Sequence, residues 1–307
     1  MNTENTLIEK VSSFIKTSVT LKLVTITILM LLLLIPVTMI TSIIQERESL
    51  NNEATDEVRS KWAAEQQING PILTIPLIYE YEEEDKRITK TRYWNLLPEN
   101  LNIDGEVLPE KLNRGIYEVV VYKSNLNVSG DFIINPKPDP QNLKEIQYDQ
   151  AFLTLGITDL RGIKNQINLD WNGKNLNVQP GSKLTDIIYS GITIAIPNLR
   201  EQMNQRITFN FSLDLNGSKN LSFIPLGNTT KVLLKSPWSS PSFNGNFLPD
   251  KREINNEGFT ANWSVLQLNR NYPQTWIGSG TKQQMQESTF GVDLILPIDD
   301  YQKSYRS

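Results

Sequence analysis

Two Ser-x-x-Lys sequences contain the side chains with the clearest capacity for covalent chemistry. A lysine three residues after a serine can take the proton of the serine hydroxyl and so make that oxygen a nucleophile. The sequences are Ser13-Phe14-Ile15-Lys16 and Ser279-Gly280-Thr281-Lys282, and the S-D-N and K-T-G partner motifs are absent from the chain. A pattern with only two fixed positions recurs by chance in 307 residues. We therefore interpret both as surface sequence, and a hydrolase that uses Ser279 and Lys282 is the weakest of three functional hypotheses.

The chain contains neither histidine nor cysteine, which removes most other catalytic and metal chemistry. Histidine is the commonest general base and metal ligand, and cysteine provides thiolate nucleophiles, disulfides and zinc or Fe–S ligands. Ser-His-Asp hydrolases, zincins and His-ligated haem proteins are therefore excluded. The net charge of −4 and the absence of a basic cluster argue against nucleic-acid binding. We predict a non-enzymatic protein with no catalytic residue, cofactor or metal.

Three acidic sequences could be taken for cation sites, and each has a simpler interpretation. The acidic run at residues 82–85 faces several ways along a strand end, whereas a hard cation needs carboxylates that converge from a shaped loop. Asp170-x-Asn172-Gly173 and Asp214-x-Asn216-Gly217 match only half of a calcium loop, because the later ligands are missing. We predict a solvated hairpin tip for the acidic run and hairpin turns for the other two.

Four side chains are the candidate ligand or interaction residues: Arg161, Arg200, Trp171 and Trp238. Guanidinium groups bind carboxylates and phosphates, and the faces of tryptophan rings suit sugars or peptidoglycan. The competing interpretation assigns the tryptophans to core packing and the arginines to structural pairs with carboxylates or backbone carbonyls. A ligand site made by these residues requires a pocket lined by Trp and Arg.

One apolar segment is long enough to cross a membrane. Residues 23–45 contain no charged side chain. At about 1.5 Å per residue, a helix of this length spans the roughly 30 Å hydrocarbon core of a bilayer. The run is longer than the apolar core of a signal peptide and ends without a small-x-small cleavage site. We predict an uncleaved transmembrane helix, so the lipid bilayer is one expected partner.

The charges on either side of this segment predict its orientation. Lys10, Lys16 and Lys22 precede it, and the residues that follow it are mainly acidic. Because positively charged flanks stay in the cytoplasm, residues 1–22 are predicted to be a cytoplasmic tail. The bulk of the chain is then extracytoplasmic.

A helical stalk is predicted at residues 46–69. Leu50, Ala54, Val58 and Trp62 recur every four positions and fall on one helical face. The sequence Asn69-Gly70-Pro71 then combines a C-terminal glycine signal with a proline that cannot continue the helix.

Residues 70–307 are predicted to form a large, mainly β domain that resembles an antiparallel sandwich. Several segments are rich in β-branched and aromatic residues, often in alternation with polar ones. Dipeptides suited to hairpin turns separate these segments. They are Asp104-Gly105, Asn172-Gly173, Asn216-Gly217 and Asn244-Gly245.

An internal similarity suggests a duplication. Residues 157–166 match residues 196–205 at Ile, Leu, Arg, Asn and Gln, and each segment is followed by Leu-Asp-x-Asn-Gly. A duplication predicts two similar β-lobes side by side, at 70–181 and 182–290, with a cleft between them as the place for a ligand. Chance similarity among strand-turn-strand units is the alternative.

Several long motifs of the sequence resemble the CreD family of bacterial inner-membrane proteins, which is associated with cell-envelope integrity. The resemblance covers essentially the whole chain and begins in the apolar segment with its acidic exit. The motifs that carry it most clearly are NGPILTIP (69–76), LPENLNIDGEV (97–107), RGIYEVVVYKSNLNVSGDF (114–132), SPWSSPSFNGNFLPDKREI (236–254), NRNYPQTW (269–276) and GVDLILPIDDYQKSYRS (291–307).

The resemblance implies an inner-membrane protein with a periplasmic domain and a role in maintaining the envelope. Family members continue past the YQKS motif into further transmembrane helices, so the chain is expected to be a fragment of such a protein. An interaction protein with an envelope partner is the leading hypothesis. A periplasmic module that binds or senses a ligand is the alternative, ahead of the hydrolase.

Overall fold

The computed structural model describes residues 19–83, 86–134, 138 and 141–296. Predictions that concern Ser13 and Lys16, the tail before residue 19, and the acidic residues at 84 and 85 lie outside this part of the chain. Two compact units divide between Asp56 and Glu57.

The first unit contains most of a single long helix, α1 (Val19–Lys61). Its apolar stretch contains the uncharged segment predicted from the sequence, with a mean hydropathy of 2.7 over its most apolar window. Leu, Ile and Met side chains project from every face of this stretch and are exposed. In the described part of the chain, α1 is the one helix long and apolar enough to cross a membrane. Water is a poor solvent for such a surface, whereas lipid is a good one.

The predicted stalk is shorter than the sequence signals suggested. Helix α1 ends at Lys61, and strand β1 (Gln66–Glu83) begins before the Asn69-Gly70-Pro71 signal. Gln66 and Ile68 are buried, and they pair with a neighbouring strand at Leu221 and Phe223. The burial of these side chains in a sheet outweighs the local helix-stop signal, and Gly70 (φ +137°) lies at an irregularity of the strand instead.

The second unit is built from strands. Those of its first half are β1 Gln66–Glu83, β2 Lys86–Leu96, β3 Asn100–Arg114, β4 Tyr117–Ile133, β5 Leu143–Ile146, β6 Phe152–Ile157, β7 Leu169–Trp171, β8 Lys174–Leu176 and β9 Val178–Pro180. Those of its second half are β10 Gly191–Ala195, β11 Arg206–Ser218, β12 Asn220–Phe223, β13 Thr229–Ser236, β14 Ser242–Gly245, β15 Lys251–Asn255, β16 Gly258–Leu266, β17 Thr275–Ile277 and β18 Phe290–Asp293. A short helix, α2 (Lys282–Glu287), and four 3-10 helices at Tyr148–Gln150, Leu160–Gly162, Leu199–Gln202 and Gln267–Asn269 complete the described elements.

The described strands form two mixed sheets, which confirms the mainly β prediction. Sheet 1 has the order β14-β18-β12-β1-β6-β10-β9, and β2, β5 and β17 extend it beside β1. Sheet 2 has the order β15-β16-β13-β3-β4-β11-β7-β8. Pairing is antiparallel except between β1 and β12 and between β3 and β13.

One hydrophobic core joins the two sheets. Trp263 of sheet 2 lies 5.8 Å from Phe290 of sheet 1, measured between ring centroids, and both are fully buried. Phe243 of sheet 1 meets Trp263 edge to face at 5.6 Å. Aromatic pairs in this geometry contribute beyond the area they bury. The inward faces of both sheets are otherwise lined by aliphatic side chains at alternate strand positions.

The prediction of two lobes at 70–181 and 182–290 was wrong, because strands from both ranges alternate within each sheet. Strand β11 pairs with β4 over its whole length, and β12 pairs with β1. The internal similarity corresponds to two short segments with the same local structure and not to two lobes. Strands β6 and β10 are antiparallel neighbours, and each is followed by a short 3-10 helix.

One of the predicted hairpin turns is present, and two others lie inside long strands. Asn172 and Gly173 have positive φ values of 52° and 82° and connect β7 to β8, as predicted. Asn216-Gly217 lies inside β11 and Asp104-Gly105 lies inside β3, so neither is a turn. In both cases a long neighbouring strand supplies the hydrogen bonds that a turn would have interrupted.

Gly217 provides a test of how tightly this fold is packed. A Cβ atom at Gly217 would overlap the ring of Tyr122, which is fully buried and donates its hydroxyl hydrogen to the Asn220 carbonyl at 2.7 Å. We expect Gly217→Ala to lower the free energy of unfolding by about 1–3 kcal/mol, since the ring must move within a close-packed core. Chemical denaturation of the full chain in detergent, followed by tryptophan fluorescence, measures this change.

The control is Asn210→Ala, on the exposed side of the same strand, where we expect a change within about 0.5 kcal/mol. Equal effects of the two substitutions would show that the Tyr122 contact does not limit this position.

Candidate functional site

Arg161, one of the residues proposed from the sequence, lies where the chain passes from α1 into β1. Its guanidinium donates two parallel hydrogen bonds to the Asp159 carboxylate, at 2.9 Å and 2.7 Å. A third donor, Nη1, binds the backbone carbonyl of Ser60 at 2.7 Å. We call Asp159 and Arg161 with these contacts the junction clasp. The arginine is therefore occupied by protein groups, as the structural interpretation predicted.

Asp159 is the centre of the clasp. Its carboxylate accepts hydrogen bonds from the backbone N–H groups of Ala64 at 2.9 Å and Arg161 at 3.1 Å, in addition to the guanidinium. The hydrogen bonds from Arg161 are the main cause that lowers the pKa of Asp159 to about 2, against an ordinary value of 3.8. The carboxylate is largely shielded from solvent, whereas Arg161 is exposed.

Gln66 extends the clasp into the interior of the second unit. Its side-chain amide is fully buried, donates to the carbonyls of Asp159 and Asn216 at 2.9 Å each, and accepts from the Asp159 N–H at 3.2 Å. The side chain thus ties the beginning of β1 to the segment after β6 and to β11.

A polar groove of about 480 Å³ adjoins this point. Glu65 on its wall pairs with Arg59 at 3.3 Å and with Lys219 at 3.7 Å. Asp293 accepts a hydrogen bond from the Asn220 amide at 2.8 Å, and Leu294 N–H binds the Lys219 carbonyl at 2.6 Å. The first residues of β1 and the last residues of β18 therefore lie on either side of β12 at one end of the unit.

The other three proposed residues are not brought together with Arg161. Trp171 is buried in sheet 2 against Phe132, and its ring N–H binds the Gln202 side chain at 2.9 Å. Trp238 is half-buried, and its ring N–H binds the Ser240 carbonyl at 2.9 Å. Both tryptophans thus satisfy their polar atom within the chain, which fits core packing.

Arg200 differs from Arg161 although the two occupy matching places in the similar segments. It is exposed on the 3-10 helix Leu199–Gln202, and among the described residues its guanidinium has no hydrogen-bond or ion-pair partner. These positions therefore do not form the pocket lined by Trp and Arg that the sequence suggested between two lobes.

Ser279 and Lys282 are both exposed, and no hydrogen bond joins them within the described part of the chain. Ser279 lies between Gly278 and Gly280, which have φ values of 86° and 133°. Lys282 is the first residue of α2.

The two Asp-x-Asn-Gly sequences hold no site of converging carboxylates. Asp170 accepts a hydrogen bond from the Gly173 N–H at 2.8 Å, which closes the β7–β8 turn. Asp214 accepts from the amides of Asn125 and Asn165 on the face of sheet 2. Across the described residues, no group of three or more carboxylates is placed to hold a metal ion.

Arg270 is a buried residue that the sequence did not single out. It is 8% exposed and lies over the ring of Tyr272, with its guanidinium carbon 4.4 Å from the ring centroid. Burial is the main cause that lowers the pKa of Arg270 and that raises the pKa of Tyr272 to about 12. Tyr272 in turn donates to the Pro225 carbonyl at 2.7 Å. The Arg-x-Tyr spacing within NRNYPQTW was the signal that could have indicated this stacking.

The junction clasp makes a pH-dependent prediction. We expect Asp159→Asn to lower the free energy of unfolding at pH 7 by about 1–2 kcal/mol. This is less than the free energy that corresponds to the whole pKa shift, because solvent around the exposed Arg161 weakens the ion pair. Because the folded-state pKa is depressed, the stabilisation is present above the ordinary pKa. The difference between wild type and variant should therefore shrink as the pH falls from about 4 towards 2.

The matched control is Glu110→Gln, which removes a pair with Lys123 at 2.9 Å whose two side chains are about half exposed. We expect a change near zero for it, because exposed pairs contribute little. A difference for Asp159→Asn that does not vary with pH would show that the carboxylate charge is not what stabilises the junction.

Two comparisons with known proteins bear on this arrangement. The family model described as "Inner membrane protein CreD" matches residues 18–307, which include α1 and the whole of the second unit. The inner membrane protein CreD of Escherichia coli (strain K12) is 31% identical over 283 residues, which are 90% of this chain. The aligned region covers 62% of the Escherichia coli protein. The chain belongs to the CreD family of inner membrane proteins.

Proposed function

We propose that the chain is a non-enzymatic envelope protein that presents its β domain on the periplasmic side of the inner membrane and contributes to envelope integrity through a protein partner. The observation that carries the proposal is α1, whose apolar side chains are exposed on every face. A helix of this kind needs lipid around it. A β domain joined to such a helix is held at a membrane surface.

The charge distribution supports the orientation. Three lysines precede the uncharged stretch, and acidic side chains dominate the first turns after it. The positive-inside tendency then favours a cytoplasmic N-terminus and a periplasmic second unit. The absence of cysteine is compatible with that compartment, because the two-sheet core is large enough to be stable without disulfides.

Two features favour a binding role over turnover. The chain has no histidine or cysteine, and Ser279 and Lys282 are exposed without a mutual hydrogen bond among the described residues. The surface also carries scattered exposed apolar side chains, including Leu268 and Ile116, which are 93% and 80% exposed. Isolated apolar residues are ordinary on a surface, but they are suitable contact points for a partner.

The native chain lacks cysteine, so single cysteines can report the orientation without interference. We expect Asn175→Cys, on an exposed strand of sheet 2, to react in intact spheroplasts with a maleimide that cannot cross the membrane. Asn5→Cys, ahead of the apolar segment, should react only after the membrane is opened. The reverse pattern would overturn the proposed orientation, and labelling of both sites in intact spheroplasts would overturn the anchor.

A photocrosslinking residue at Leu268 or Ile116 tests for the partner in growing cells. We expect at least one of the two to capture the same envelope protein reproducibly, because an exposed apolar side chain in an interface lies within reach of its partner. The control is the same photocrosslinker at Lys231, an exposed polar position on sheet 2.

Identical products from all three positions, or none while a known membrane-protein pair crosslinks in the same cells, would contradict the interaction hypothesis. If Leu268 or Ile116 captures a partner, a serine at that position should weaken capture by a crosslinker at a neighbouring residue without lowering protein abundance.

A further inference from the structure

A small cleft lies beside the ends of two neighbouring strands of sheet 1. Its floor is formed by the ends of β1 and β6, and its walls are formed by α2 and by the segment before β10. The volume is about 200 Å³, below the range of pockets for drug-sized ligands, which limits a ligand to about the size of an amino acid. The lining residues that matter here are Asn69, Ile157, Ile187, Ile188, Tyr189 and Lys282.

Asn69 is the feature of the cleft that the fold does not explain. The residue is 5% exposed, and its buried Oδ1 accepts no hydrogen bond from any described residue. Native proteins rarely bury an amide without a partner, because the lost hydration is not replaced. An apolar side chain at this position would satisfy the packing better, so the amide is suited to a group that comes from outside the chain.

Lys282 supplies a positive charge to the same cleft. Its side chain is exposed, and it forms no ion pair with any described carboxylate. The helix that carries it is fixed by Met285, which is 1% exposed beneath it. The ammonium is thus free to bind an anionic group at the open side of the cleft.

The remaining walls are apolar and held in place. Ile187 and Ile188 are buried, and their N–H groups bind the Leu184 carbonyl at 2.9 Å and 2.7 Å. Gly156 allows Asn69 and Ile188 to approach each other, since a Cβ there would lie 3.0 Å from a carbon atom of each side chain. Tyr189 stands at the rim and is 85% exposed.

We propose that this cleft binds a small N-acylated amino acid carboxylate, the chemistry of a peptide C-terminus. The amide N–H of such a ligand is the donor that Asn69 Oδ1 lacks. The carboxylate pairs with Lys282, and an aliphatic side chain packs against Ile157, Ile187 and Ile188. The site adjoins the junction clasp but shares no lining residue with it, and it does not include the surface positions chosen for crosslinking.

N-acetyl-leucine is the probe, titrated into the full chain in detergent and followed by saturation-transfer NMR of its methyl groups. We expect a Kd of about millimolar, which is ordinary for a ligand of this size. Lys282→Gln should weaken binding about tenfold, because a charge-assisted contact is lost. The uncharged methyl ester should bind about equally to wild type and Lys282→Gln.

Asn69→Leu should abolish binding without lowering the thermal midpoint, since it removes a buried amide oxygen that has no hydrogen-bond donor among the described residues. Lys231→Gln, on sheet 2, is the control and should bind as wild type does. Acetyl-Ala-Ala-Leu distinguishes a peptide C-terminus from a free N-acylated amino acid as the ligand. Tighter binding than N-acetyl-leucine indicates a peptide end, and equal binding indicates that only the terminal residue is recognised.

Two results would overturn the proposal. One is the absence of saturation transfer from wild type at ten times the expected Kd. The other is equal affinity of wild type, Lys282→Gln and Asn69→Leu for the acid, which would place the ligand elsewhere. Neither result bears on the membrane orientation or on the protein partner, which are measured independently.

Discussion

The fold depends on satisfying the backbone polar groups in the short segment between the last turn of α1 and the first residue of β1. A helix end leaves carbonyl groups without partners, and a strand that starts inside a sheet needs partners at once. Here the Ser60 carbonyl accepts from Arg161, the Ala64 N–H donates to Asp159, and the Ala64 carbonyl accepts from the Ser218 N–H at 3.2 Å. Gln66 completes the set from the buried side. The carboxylate of Asp159, the guanidinium of Arg161 and the amide of Gln66 thus replace the water that these groups would otherwise need.

Fixing that segment sets the register of β1, and β1 organises sheet 1. Over its 18 residues it pairs with β12, β6, β5 and β2 in turn. A shift of one residue would exchange Leu73, Ile75 and Leu77, which face the core, for the residues between them. The polar clasp therefore specifies which side chains enter the hydrophobic core. The stabilisation comes from the core, and the choice of arrangement comes from a few hydrogen bonds beside it.

The sequence predicted those features that depend on local composition. An uncharged run of Leu and Ile identifies a membrane helix whatever follows it, and β-branched alternation identifies strands. The pairing of the strands could not be predicted from local composition, because it is decided by contacts between distant residues. Asn216-Gly217 carries a strong turn signal, yet β4 holds it in an extended strand. Arg161 and Arg200 occupy equivalent places in similar segments, and only the neighbours of Arg161, Asp159 and Ser60, make it a structural residue. Asn69 was visible only as part of a helix-stop signal, since its burial beside Gly156 depends on β6.

The arrangement of β1, β12 and β18 has a mechanical consequence. β1 and β18 are the first and last described strands of the second unit, and the single short strand β12 lies between them in sheet 1. If the segments before β1 and after β18 are pulled apart, the tension passes first through β12. The hydrogen bonds at Gln66–Ile68 and Asn220–Phe223 would then open one after another, together with those that tie Gln66 and Ala64 to β11 of sheet 2. A pull on these two segments would therefore load this end of the unit before it reached the core between the sheets.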